Sequence, residues 1–309
     1  MTLTSDTFEW VATLVRARSA IQLGPGKEYL VESRLLPLAR AAGMPGVDAY
    51  VSKIRNGRDT VGERAVVEAL TTNETSWFRD NSPFIALRAH LLPELMAVRN
   101  RPVHLKFWSA ACSTGQEPYS LAMTLLDVLP PTVTFEILAT DLSEKVLDRA
   151  RTGKYSQLEI NRGLPAPLMV RHFTRVGAEW QVSADLRSRV TFRPHNLLDT
   201  PPPGRFDVIF LRNVLIYFDL PTKQQILRRM ASVLSPEGSL MLGAAETTIG
   251  VDAGWDRVPV GAASVYRPSR AAPAGSPAVP SQSARPGAAT GALAASSVSA
   301  LGIRAGAVR

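Results

Sequence analysis

Glu117, Asp141 and Asn196 each follow a β-rich run by a few residues, and each is a residue type that can hold a polar ligand at a strand tip. Glu117 stands near the end of Ser109-Ala-Ala-Cys-Ser-Thr-Gly-Gln-Glu-Pro-Tyr-Ser120, a small-residue loop running into a helix that Pro118 can begin. Such a loop lets backbone approach a ligand closely. It holds one glycine, Gly115, so the dinucleotide fingerprint G-x-G-x-x-G is missing and a pyrophosphate cradle is disfavoured. A carboxylate at this mouth repels a diphosphate and attracts a cation such as an α-ammonium or a sulfonium. Small residues at a strand–helix junction are also ordinary turn chemistry, so the loop alone does not decide. Asp141 ends Leu138-Ala-Thr-Asp141, about one βαβ unit further on, where an acid accepts hydrogen bonds from both ribose hydroxyls. It could equally cap a helix starting near Ser143. In His195-Asn196-Leu197-Leu198, Asn196 could hold an adenine edge or make an Asx turn. Three such tips, a carboxylate suited to a cation and no phosphate loop describe S-adenosylmethionine better than NAD or ATP.

Strand tips meet on one edge when the strands are parallel and joined by right-handed crossovers. The chain has the pattern for this. β-Rich runs fall at 103–110, 134–140, 190–193, 206–211 and 239–243, with a last one at 263–266, and helical stretches at 118–129, 144–150 and 222–234 lie between them. This alternation predicts an α/β, Rossmann-like fold with helices on both faces of the sheet. The interval 155–189 interrupts it with a helix near 168–173 and short polar strands near 174–182, as an inserted subdomain. Ahead of the sheet, apolar residues recur with helical period over 4–18, 27–42, 47–54 and 60–70, punctuated by Gly24-Pro25-Gly26 and Gly43. The expected organisation is an all-helical domain over 1–80, an α/β sheet domain over 81–267 and a tail over 268–309.

The formal charge of +8 invites a nucleic-acid reading until its location is considered. Residues 267–309 hold five arginines (267, 270, 285, 304 and 309) and no acid, which leaves +3 on residues 1–266, an ordinary enzyme surface. Nucleic acid is therefore not an expected partner. Thirty of those 43 residues are Gly, Ala, Pro or Ser and none is aromatic, so the tail is expected to be a disordered, solvated linker. No run approaches the roughly 20 apolar residues of a membrane span, and the start lacks a secretory signal, so a cytoplasmic protein without membrane insertion is expected. Cys112 has no cysteine partner and reads as a small packed residue. His90, His104, His172 and His195 share no metal-ligand spacing, and no metal is expected.

Four segments in order carry a resemblance: Asn73-Glu-Thr-Ser-Trp-Phe-Arg-Asp80, Cys112-Ser-Thr-Gly-Gln-Glu-Pro-Tyr-Ser120, Ala139-Thr-Asp-Leu-Ser143 and Phe206-Asp-Val-Ile-Phe-Leu-Arg-Asn-Val-Leu-Ile-Tyr-Phe-Asp219. Together with the preceding helical region they resemble the CheR chemotaxis-receptor methyltransferases over residues 5–267. The resemblance implies a class I methyltransferase domain with S-adenosylmethionine as cofactor and S-adenosylhomocysteine as product. It implies cofactor contacts from Asn73, Thr75, Arg79, Glu117, Asp141, Asn196, Leu197, Leu211 and Arg212, with Arg79 and Tyr217 near the transferred methyl. Departures are mild: Trp77 for the usual Phe, Ala111 where Gly is common and Gln116 where Glu is common. Read alone, Arg79 could be an interface ion pair to Asp80 and Tyr217 a packed aromatic.

The reaction implied is methylation of receptor glutamate side chains, which are ionised at neutral pH and require no general base. The implied partners are acidic cytoplasmic helices of methyl-accepting receptors, met by a basic face of Lys27, Arg34 and Arg40, with the enzyme a monomer recruited to receptor arrays. Relatives that dock on a receptor's C-terminal pentapeptide use the inserted subdomain; the short stretch Arg175-Val-Gly-Ala-Glu-Trp180 counts against such docking here. Two other classes stay open: a carboxyl methyltransferase of this fold acting on another protein or a small acid, and a cofactor-binding regulatory module.

Overall fold

The computed structural model describes residues 3–97 and 104–269; the expected disorder of the tail lies, from residue 270 on, outside the described residues. Four helices open the chain: α1 (Ser5–Ser19), α2 (Glu28–Ala41), α3 (Val47–Gly57) and α4 (Thr60–Leu70). Their ends follow local chemistry. Thr4 caps α1 by accepting from the Thr7 N–H, Asp59 caps α4 by accepting from Val61 and Gly62, and α1 stops where Ala20 turns left-handed. Their apolar faces meet in one core built from Val11, Val15, Val31, Leu35, Val51, Ile54 and Val66. Two short helices, α5 (Ser82–Ala86) and α6 (Leu92–Ala97), joined by a π-helical turn at Leu87–Leu91, then lead toward the sheet.

The sheet domain runs β1 (His104–Ala110), α7 (Gln116–Val128), β2 (Thr134–Asp141) and α8 (Glu144–Thr152). The inserted subdomain follows as β3 (Lys154–Ser156), α9 (Gln157–Ile160), α10 (Ala166–His172), β4 (Phe173–Val176), β5 (Glu179–Val182) and α11 (Ala184–Ser188). The chain returns through β6 (Val190–Pro194), β7 (Phe206–Leu211), α12 (Leu220–Val233), β8 (Leu234–Leu242), β9 (Trp255–Val260) and β10 (Ala263–Pro268). The main sheet has the order β6-β2-β1-β7-β8-β10-β9, with the first five strands parallel and β10 antiparallel to both of its neighbours.

Because helices cover both faces, side chains alternate between two cores rather than between core and water. Leu105 and Phe107 of β1 join the core that holds Leu121 of α7, while Trp108 and Ala110 join the core that holds Leu227 of α12. The strand order reverses between β1 and β7, which opens a crevice above their C-terminal ends, the place where open α/β sheets hold ligands. Among the described residues no helix is long and apolar enough to cross a membrane.

Gly115 serves packing more than ligand approach. It is left-handed at φ 93°, and a Cβ there would meet Ala150 of α8 at 2.9 Å and the Tyr155 hydroxyl at 3.1 Å. The insertion is tied in by Trp77, which is 1% exposed and stands edge-on to Tyr155 and Phe173 with ring centroids 4.9 and 5.3 Å away. Its indole N–H has no hydrogen-bond partner among the described residues. Trp77→Ala should therefore cost about 3–5 kcal/mol in urea denaturation. Trp77→Phe, which keeps an aromatic ring and removes the unpartnered donor, should cost well under half of that; equal losses would show that ring packing is not what holds this residue.

Candidate functional site

One cavity sits in the crevice above β1 and β7. Its walls come from the end of α1 (Ser19, Ile21), the connecting segment (Thr71 to Thr75, and Arg79), the β1 loop (Ala111, Cys112, Ser113, Glu117), the tips of β2 and β6 (Asp141, Leu142, His195 to Leu197) and the loop after β7 (Arg212 to Val214, Tyr217, Phe218). Of the residues singled out from sequence, Asn73, Thr75, Arg79, Glu117, Asp141, Asn196, Leu197, Arg212 and Tyr217 meet here. Leu211 does not line the cavity: it is fully buried, its side chain in the core shared with α12. Lys27, Arg34 and Arg40 do not line it either. Arg34 donates to the Thr71 and Ala69 carbonyls at 2.9 and 3.3 Å, closing the end of α4. On a helix of 3.6 residues per turn, Arg40 also leaves α2 about 120° round from Arg34, so the three do not form one face.

Arg212 organises the floor. Its side chain is 1% exposed, and it donates to Glu117 Oε2 at 2.9 Å, to Asp80 Oδ2 at 2.8 Å and to the Arg79 carbonyl at 2.7 Å. Asp80 thus pairs with Arg212 and not with Arg79. Glu117 Oε1 also accepts from the Ser109 hydroxyl at 2.8 Å, so its carboxylate is held from two sides. The Arg79 guanidinium donates to the Glu74 carbonyl at 3.0 Å and meets no carboxylate among the described residues. The Tyr217 hydroxyl, at the end of a 3₁₀ turn (Leu215–Tyr217), has no hydrogen-bond partner among them.

Asp141 lines the cavity and does not cap α8, whose N-cap is Ser143. Its oxygens accept from the Ser143 N–H at 3.0 Å and the Ser113 N–H at 2.8 Å, joining the β1 and β2 loops. Burial pushes its carboxyl above the usual range, and the backbone donors of Ser143, Ser113 and Leu142 pull it part of the way back. Asn196 likewise makes an Asx turn to Leu198 at 3.1 Å, and its amide reaches the Arg18 carbonyl on α1 at 2.7 Å. Cys112 is buried beside Asp141 and Glu117; burial and those charges push its thiol well up, which suits a packing role.

Six of the eight non-glycine residues with positive φ among those described border this crevice or the segment entering it: Phe78, Asp80, Asn81, Ala111, Ser113 and Asn213. Left-handed backbone costs an L-residue roughly 1–2 kcal/mol, so surrounding bonds must hold these loops in place. One such anchor was not singled out from sequence. Glu246, beyond β8, accepts backbone N–H groups from the loop that carries Arg212 and Tyr217.

Residues 73–258 match the CheR methyltransferase SAM-binding domain, and residues 6–71 match the CheR methyltransferase all-alpha domain. The chain belongs to the CheR methyltransferase family. It is similar to chemotaxis protein methyltransferase 1 of Pseudomonas aeruginosa, at 42% identity over 80% of this chain and 92% of that one. It is also similar to chemotaxis protein methyltransferase 1 of Vibrio cholerae (39%, covering 86% and 98%) and the chemotaxis protein methyltransferase of Escherichia coli (36%, covering 80% and 86%). S-adenosylmethionine is thus the cofactor of this CheR chain. The donor set fits it: two carboxylates, Glu117 and Asp141, suit an ammonium and a diol, and no glycine-rich phosphate cradle is present. Two buried polar atoms without partners, Arg212 Nε and His195 Nδ1, also belong to residues lining the cavity.

Arg212→Ala would leave Glu117 and Asp80 without their cation, and breaking a buried pair in this way costs about 3–5 kcal/mol. The partial exposure of Asp80 places the expected loss at the lower end. Arg212→Lys should recover only part of it in chemical denaturation, since an ammonium lacks the planar fork that spans three acceptors. Full recovery would show that charge alone matters.

Proposed function

We propose that this protein methylates glutamate side chains in the cytoplasmic helices of methyl-accepting chemotaxis receptors, giving glutamate methyl esters and S-adenosylhomocysteine. The observation that carries the reading is the pair Arg79 and Tyr217: a guanidinium with no carboxylate among the described residues and a hydroxyl with no partner there, both lining the cavity that holds Glu117 and Asp141. An acceptor carboxylate would complete both. Domain boundaries follow the same reading, with the helical domain over 1–80, the methyltransferase domain over 81–267 and the inserted subdomain over 155–189.

S-adenosylmethionine supplies a methyl group on a positively charged sulfur. Asp141 takes the ribose hydroxyls with lone pairs left over from its two backbone bonds, and Glu117 takes the α-ammonium. Leu197 and Asn196 close the adenine side, Asn196 through its backbone because its amide is already engaged with Arg18 and Leu198. Asn73 and Thr75 line the opposite wall, and Arg212, which lines the same cavity, fixes Glu117. Tyr217 and Arg79 would orient the acceptor carboxylate toward the methyl group. With a pKa of roughly 4.3 the acceptor is ionised already, so these residues position charge and move no proton. Because the acceptor loses its negative charge in the transition state, too tight a pairing with Arg79 would stabilise the ground state instead.

Labelled methyl transfer into a panel of receptor cytoplasmic fragments, read as base-labile label, tests the reading directly; absence of ester in every fragment would overturn it. Tyr217→Phe should lower kcat roughly tenfold or more while S-adenosylhomocysteine affinity persists. Its rate should stay flat with pH above the acceptor's ionisation, as in the unmodified protein; a new dependence near neutrality would mean that Tyr217 governs a proton transfer. Asp141→Ala should weaken S-adenosylhomocysteine binding by about 1–3 kcal/mol in calorimetry, and unchanged affinity would remove Asp141 from the ribose.

A further inference from the structure

Glu246 is 8% exposed and lies in Gly243-Ala-Ala-Glu246, just past the end of β8. Its two carboxylate oxygens accept four backbone N–H groups. Oε2 takes Asn213 at 2.7 Å and Gly243 at 2.8 Å, and Oε1 takes Val214 at 2.8 Å and Leu215 at 2.7 Å. Three of those donors are consecutive residues running from the loop after β7 into the first residue of the 3₁₀ turn. That loop is the wall that presents Arg212, Asn213, Val214 and Tyr217 to the cavity. Asn213 stands at φ 57°, a conformation the loop would leave without a bond on its N–H.

Only a carboxylate satisfies this arrangement. An ionised Glu offers two oxygens with about four lone-pair sites and no donor, whereas Gln replaces one oxygen with an NH₂ that would face the Asn213 and Gly243 N–H groups. The packing is as tight as the bonding: a Cβ on Gly243 would lie 2.7 Å from Asn213 Nδ2, 2.8 Å from Asn213 N and 2.8 Å from Glu246 Oε2. The Glu246 carbonyl in turn accepts from the Tyr266 hydroxyl at 3.4 Å, which ties the anchor to β10.

We propose that Glu246 is a positioning residue for methyl transfer. It fixes the Arg212–Tyr217 loop so that the Tyr217 hydroxyl meets the acceptor carboxylate, an inference that rests on the role proposed for Tyr217. Glu246 touches neither cofactor nor acceptor; it acts through the loop.

The test uses the full chain and two independent perturbations, Glu246→Gln and Gly243→Ala, each alone and combined with Tyr217→Phe. Amide hydrogen exchange at residues 213–215 should accelerate at least about tenfold in both variants while β1 and β7 stay protected. With saturating receptor fragment, kcat should fall about tenfold in each, and KM for S-adenosylmethionine should change less than about threefold. In the Tyr217→Phe background the same substitutions should cost less than about threefold, because the group they misplace is already gone. Losses that multiply with that of Tyr217→Phe would make Glu246 merely structural and overturn the inference. So would unchanged exchange, or faster exchange with an unchanged kcat. If Glu246→Gln fails to fold, Gly243→Ala decides alone, since it leaves the carboxylate intact and wedges the same loop. Wild-type protein inert toward every fragment would sink the proposed function instead, and the exchange measurement would still decide whether Glu246 holds the loop.

Discussion

The buried guanidinium of Arg212 is the point at which three distant parts of the chain are made to agree. It follows β7, and it binds the first turn of α7 through Glu117 and the segment leaving the helical domain through Asp80 and the Arg79 carbonyl. Burying one cation between two carboxylates is unfavourable unless every partner is present in good geometry. The site therefore assembles cooperatively: the β1 loop, the β7 loop and the entering segment take their places together, or all of them are left with unpaired charge.

That cooperativity is what allows so much strained backbone in one region. Phe78, Asp80, Asn81, Ala111, Ser113 and Asn213 would each prefer another conformation, and each lies next to a residue bonded across loops. Ser113 gives its N–H to Asp141 and its hydroxyl to the Asn73 carbonyl at 2.6 Å. The β1 loop is thereby stitched to the next strand tip and to the segment leaving the helical domain. The helical domain is fastened to the same crevice by polar contacts, with Asn196 on the Arg18 carbonyl and Gln22 on Asp219 at 2.9 Å. Rigid walls and a polar seam suit a cavity that must hold a ligand of mixed charge and let its product leave.

The parts legible in sequence were the local ones. Strand tips show because small residues and acids cluster after apolar runs, and α4 shows its apolar stripe. Asp141 also shows the limit: the sequence offers a ribose acid or a helix cap, whereas its carboxylate lines the cavity and bonds the Ser143 and Ser113 N–H groups, and α8 takes Ser143 as its N-cap without a side-chain bond. β9 escaped notice because Trp-Asp-Arg-Val-Pro-Val carries Pro259, which reads against a central strand; it is the edge strand of the sheet, where a missing N–H is tolerated. The first part of β8 was hidden by Pro236 and Gly238. The ion pairs of Arg212 are not legible in sequence, because Glu117 and Asp80 lie 95 and 132 residues away and no periodicity reports a pairing at that range. Glu246 was missed for the same reason. Lys27, Arg34 and Arg40 share charge, but helical geometry turns Arg40 away from Arg34 and the Arg34 guanidinium closes the end of α4.

The inserted subdomain is not a detachable cassette. Trp77 belongs by sequence to the segment leaving the helical domain, yet its ring completes the subdomain's core between Tyr155 and Phe173. Its N–H donates to the Arg162 carbonyl at 3.0 Å, its carbonyl sits where Gly163 has no side chain, and Glu74 pairs with Arg162 at 2.8 Å. A chimera that exchanges residues 154–188 between relatives must carry residues 74–78 with them, since the border visible in the chain runs through the middle of a single packing unit.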